Sequence, residues 1–194
     1  TVKKATFDTK TQEMRWRADT SDTEDDLYQD NMTLELFQDF IDRIECNEAP
    51  PPEFCSDYWS GGEPYVSVSH YDDMNGEAVP GTVDETFVDG KFLKARGRFN
   101  DNLLGRACFK ALCKDLSETK SDAPGRVRVS IAFLDWKHQH KGTGFVFERK
   151  SVHDLCPECF IEMVTGESVG KRFQRGHLIH LALTRIPVNT RTIM

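Results

Sequence analysis

The sequence predicts an α+β domain: a mainly antiparallel β-sheet, curled or closed into a barrel, surrounded by a few helices. Three observations carry this. Most patterned segments alternate apolar and polar residues, as half-buried strands do. Asp89-Gly90 sits between two such segments and is the strongest short-range hairpin signal. Only a few segments place apolar residues at helical spacing. The length of 194 residues suits a single domain over 1–194, on a soft prior of about 150 residues each. A chain of this length buries enough surface to fold without disulfides or metal. Hydrophobic residues are 38% and charged residues 29%, a soluble globular balance, and no apolar run approaches the ~20 residues of a membrane span. The formal net charge of -7 argues against a binder of phosphate backbones, which would carry a basic face. Neither a nucleic-acid nor a membrane partner is therefore expected. Six cysteines are too sparse for a disulfide scaffold and read as thiols in a reducing compartment. The chain opens at Thr1 without a charged-then-apolar leader, so no secretory signal is expected.

The elements follow in order. Glu13 to Ala18 alternates as a strand. The acidic residues between Asp19 and Asp30 read as a solvated loop, or as a contact loop for a basic partner. Thr33 to Cys46 reads as a helix: Thr33 caps it, and Leu36, Phe37, Phe40, Ile41 and Ile44 recur on one face. Asn47 and the run Pro50-Pro51-Pro52 stop it. Pro50 to Gly62 is a loop pinned by Phe54, Tyr58 and Trp59. Tyr65 to His70 is a strand, followed by a loop rich in Asp, Asn and Gly. Thr82 to Phe99 is a hairpin turning at Asp89-Gly90. Asn100 is expected to cap a second helix, with Phe99 and Leu104 as a hydrophobic staple and Leu104, Cys108, Ala111 and Leu112 on its inner face. Arg126 to Trp136 is a strand with Val127, Val129, Ile131 and Phe133 on one side and Arg128, Ser130 and Ala132 on the other. Gly144 to Lys150 is another strand, and Asp154 to Val164 a short helix. His177 to Ile186 is the last strand, with Ile179, Leu181 and Leu183 opposite Leu178, His180 and Ala182.

Two constellations bear on chemistry. His138 and His140 flank Gln139 and share one face of a strand, and His153-x-x-Cys156-x-x-Cys159 has a ligand-like look. A tetrahedral zinc site needs about four N or S ligands, and adding Cys46 and Cys55 gives no standard spacing. His153, Cys156 and Cys159 are thus weak metal candidates, no metal or other cofactor is expected, and a zinc-stabilised binding module is the lesser reading. The second set is a serine with histidines: Ser130 mid-strand, His70 at a strand end and His180 within the last strand. Taken singly, each has an ordinary structural role, and sequence spacing alone cannot establish a Ser-His arrangement.

The ordered series Gly90 to Phe99, Leu104-Gly105, Arg128-Val129-Ser130-Ile131-Ala132-Phe133 and His180 to Asn189 resembles the prohead (capsid maturation) serine proteases of tailed bacteriophages. These share a fold and a Ser-His-based site with the herpesvirus assemblins. The phage pattern has a His at the end of an early strand, as in Ser69-His70-Tyr71. It closes with a strand running into Pro-x-Asn, as in Leu183 to Asn189. The likeness covers roughly residues 64–190, a core carrying the motifs, while 1–63 match loosely. Many phage members have an acidic residue in place of His180, and Ala132 replaces a frequent glycine. The triad implied is therefore of assemblin type: Ser130 as nucleophile, His70 as general base and His180 as third member, with Arg185 an oxyanion candidate. A neutral third histidine stabilises an imidazolium less than a carboxylate does, so slow turnover is expected.

The resemblance further implies an assemblin-like fold and cleavage of scaffolding-protein and major capsid-protein extensions. It implies self-cleavage, which the ends of this chain would fit, and a homo-oligomer, a dimer or larger. The expected location is the assembling procapsid in the host cytoplasm. A non-catalytic capsid-assembly or scaffold-core protein on the same barrel is the alternative.

Overall fold

The computed structural model describes residues 2–49, 51, 63–68, 79–119, 126–167 and 169–184. Among them, nine strands and three helices follow in the order β1 (Val2–Asp8), β2 (Glu13–Asp22), β3 (Asn31–Met32), α1 (Leu34–Glu45), β4 (Tyr65–Val68), β5 (Gly81–Asp89), β6 (Phe92–Phe99), α2 (Leu103–Glu118), β7 (Arg128–His140), β8 (Val146–Glu148), α3 (Pro157–Thr165) and β9 (Lys171–Thr184). All strands join one sheet in the order β1-β2-β6-β5-β4-β9-β7-β8, with β3 also beside β9. Pairing is antiparallel except where β3 and β4 run parallel to β9. The α+β class stands. The sheet is curled rather than closed, because among the described residues β1 and β8 end an open path. The curl brings the end of β2 round to face β7. Thr20 and Ser21 line a cavity of about 280 Å³ together with Val129, Ser130, Ile131 and Phe133.

Inside the curl lies α1. Thr33 accepts the Leu36 backbone N–H at 3.1 Å, the cap its hydroxyl was expected to make. Leu36, Phe37 and Phe40 are fully buried. Phe40 meets Phe133 edge-on with ring centroids 5.5 Å apart, and Phe133 meets Phe173 at 5.2 Å. Gly176 lets the helix approach: a Cβ there would stand 3.2 Å from Leu36 Cδ1 and 2.7 Å from the Leu134 carbonyl. The same residue donates its N–H to Asp39 of α1 at 2.8 Å.

The hairpin is as expected, β5 and β6 turning through Gly90, whose φ of 61° is left-handed. Several boundaries differ. Asn102, not Asn100, caps α2 by accepting the Gly105 N–H at 2.7 Å. The Asn100 side chain instead donates to the Val79 carbonyl, and its N–H to Pro80, so the helix starts two residues later. Leu112 and Cys108 face the core, whereas Ala111 is exposed. The short helix begins at Pro157 rather than Asp154, because the Asp154 carboxylate accepts the Lys150 and Ser151 N–H groups and closes a turn. On β9 a bulge falls at Ile179, since Ala132 pairs with His180 but Phe133 with Leu178. Leu178 therefore turns into the main core beside Leu181, while Ile179 packs on Tyr65 and Val79 of a smaller cluster. The acidic segment is only partly solvated: Asp22 is buried, and Asp30 accepts the Lys171 N–H at 2.6 Å. Of the aromatic loop, Phe54, Tyr58 and Trp59 lie outside the described residues.

Candidate functional site

Ser130 pairs with Ala182 across β7 and β9, and His180 pairs with Ala132. On the other edge of β9, Ser67 pairs with Ala182 and Tyr65 with His180. Partners across a ladder point the same way, as do alternate residues along a strand. Ser130, His180 and Ser67 therefore share one face of the sheet, with His180 diagonal to both hydroxyls. Diagonal neighbours lie within reach of a ring side chain. The face opposite carries Val66, Val129 and Leu181 in the core. His180 is buried, with its ring 5.2 Å from that of Tyr65. Ser130 is half-buried and lines the cavity described above, whereas His180 does not. Of β7, β9 pairs with Arg128 to His140 and β8 with Lys137 to Gln139. His70 and Arg185 lie outside the described residues. Ser67 has no motif around it that would single it out in sequence; only the register with β9 brings it to this face.

A second cluster is more complete. His138, His140, Cys156 and Cys159 bring one ligand atom each to within 4.8 Å of one another. His138 Nε2 and His140 Nε2 are 3.2 Å apart. His140 Nε2 is 3.2 Å from Cys156 Sγ and 3.6 Å from Cys159 Sγ, and Cys159 Sγ is 3.5 Å from His138 Nε2. The outward nitrogens are engaged too: His138 Nδ1 with Asp135, and His140 Nδ1 with Glu162 at 2.9 Å. Glu162 is held in turn by Lys171 at 2.6 Å. Burial pushes the Cys156 thiol up, but the Cys159 backbone N–H and the two imidazoles outweigh it and bring the thiol down to about 7. Burial and the Cys156 sulfur push Cys159 up to about 12.

This set corrects the sequence expectation, in which Cys156 and Cys159 went with His153. His153 is exposed and does not join the cluster. The histidines come from β7, which runs on to His140 instead of ending at Trp136. Strand alternation then aims positions 138 and 140 to one side, and the turn before α3 folds Cys156 and Cys159 back over them. Cys46 is exposed at the end of α1, away from this set, and Cys55 lies outside the described residues. The sequence signals were both present, His-x-His and Cys-Pro-x-Cys, but nothing in the spacing joined them.

Comparison with protein-family models, with curated proteins and with solved structures finds no match.

Proposed function

We propose that this chain is a serine endopeptidase that cleaves scaffolding-protein and capsid-protein extensions, and itself, during phage prohead maturation. Ser130 is the nucleophile, His70 the general base and His180 the third member. The observation that carries the reading is the register that sets Ser130, beside a cavity, diagonal to His180 on one sheet face. A serine hydroxyl is a weak nucleophile until a base takes its proton, and histidine does so near neutral pH. The strand that leads to His70, β4, is the other neighbour of β9, and His70 follows its last residue, Val68, by two positions.

The test is active-site labelling together with cleavage. A fluorophosphonate probe should modify Ser130, and Ser130→Ala should lose both labelling and scaffold cleavage while keeping the parent's circular dichroism. His70→Ala should lose about as much activity as Ser130→Ala, and His180→Ala less. Cleavage retained in Ser130→Ala overturns the triad. A chain that assembles with scaffold but takes no probe is the non-catalytic assembly protein instead.

A further inference from the structure

We propose that His138, His140, Cys156 and Cys159 form a closed structural site for one Zn²⁺, which fastens α3 to the end of β7. The inference does not rest on peptide cleavage.

Zinc binds imidazole nitrogen at about 2.0–2.1 Å and thiolate sulfur at about 2.3 Å in a tetrahedron. The edges of such a tetrahedron are about 3.3 Å between two nitrogens and about 3.6 Å between nitrogen and sulfur. The observed separations are 3.2 Å between the nitrogens and 3.2, 3.5 and 3.6 Å between nitrogen and sulfur. Four donor atoms thus already stand near the corners of a zinc coordination sphere.

The two imidazole rings are also held in orientation. Metal-bound histidines give their other N–H to a carboxylate, which fixes tautomer and ring angle. Asp135 does this for His138 and Glu162 for His140. With both Nδ1 atoms donating, both Nε2 atoms present lone pairs toward the same point. Two lone pairs so close repel unless a proton or a cation lies between them. Two sulfurs converging on the same point make a soft divalent cation the matching partner, and a tetrahedral set of two sulfurs and two nitrogens is a zinc set.

Hydrophobic packing does not hold α3 in place. This helix has nine residues, too few to be stable alone, and buries none of them. Phe160 is 56% exposed, Ile161 58%, Met163 73% and Val164 67%. Its attachment is polar instead: Cys156 and Cys159 at its start, Glu158 to Thr143 at 2.6 Å, and Glu162 to His140 and Lys171. An ion at the tetrad would provide the cross-link that hydrophobic packing does not. The site is also closed. His138, His140 and Cys156 are at most 6% exposed, and the rings of Phe145, Phe147 and Phe173 pack around the two imidazoles. Four protein ligands leave no position for water or substrate, which is the structural rather than the catalytic pattern.

The experiment uses the full chain, expressed with zinc, dialysed under reducing conditions and analysed for metal. About one zinc per chain is expected. Replacing it with Co²⁺ should give the intense visible bands of a tetrahedral site and thiolate charge-transfer absorption. Cys156→Ser with Cys159→Ser should lose the metal, and His153→Ala should keep it. Should the double variant fail to fold, the Co²⁺ spectrum of the parent chain decides alone. Substoichiometric zinc with no tetrahedral Co²⁺ spectrum overturns the proposal. So does loss of metal in His153→Ala with retention in His138→Gln.

Discussion

His177 shows how one residue's surroundings set its chemistry. Its ring is buried, Trp136 Nε1 donates to its Nδ1 at 2.7 Å, and Arg43 stands 3.5 Å from Nε2. Burial and the Arg43 charge hold its pKa below the usual histidine value, against the opposing pull of Glu48 and Asp39. In the unfolded chain the ring takes a proton near pH 6.5, while the folded ring does not. The contribution of His177 to stability should therefore be fully present above about pH 6.5 and be lost as the pH drops below it. An NMR titration of the His177 ring should give a midpoint below 6.5, and one at or above that value would refute the assignment. Little of this was legible in the sequence, which shows a histidine opening an apolar strand but neither Trp136 nor Arg43 beside it. Ser130 and His180 were legible as alternating strand residues; that they share a face needed the register between β7 and β9.

Among the elements, α1 was the most legible, because its cap, its apolar stripe and its stop all agree. Thr33→Ala removes the hydroxyl that accepts the Leu36 N–H and should cost about 1 kcal/mol, read as a lower denaturant midpoint at unchanged slope. A loss near zero would mean that the Thr33 N–H bond to the Phe173 carbonyl, 3.1 Å, alone fixes the start of the helix. The strands were legible in kind but not in extent. On β7 the pattern fades after Phe133 because the strand then buries Leu134 and two histidines among half-buried polar residues. On β9 the bulge at Ile179 breaks the alternation, so simple counting put Leu178 on the wrong face. Both failures have one cause: pairing with a distant strand overrides the local period.

Across the whole molecule, β9 is the strand on which the others depend. It separates β4 from β7 in the sheet, and β3 also pairs with it. Without it the pairing divides into β1-β2-β6-β5-β4 and β7-β8. Deleting 171–194 should therefore abolish the cooperative thermal transition rather than merely lower its midpoint, as measured by circular dichroism. A truncated chain that still melted cooperatively would show that α1 and the curl suffice. The composition limited the class and the hairpin signal pointed to an antiparallel sheet, but the parallel β4–β9 and β3–β9 pairs had no local signature. The position of β9 also governs the order of events during synthesis. Tyr65 leaves the ribosome well over a hundred residues before its partner His180, so the five strands β1-β2-β6-β5-β4 must wait with the β4 edge open. Such long-range closure is slow and leaves strand edges exposed to misassembly. By contrast, the four ligands from His138 to Cys159 emerge close together. A metal captured there would order β7, β8 and α3 as a local unit, ready to receive β9 when it arrives.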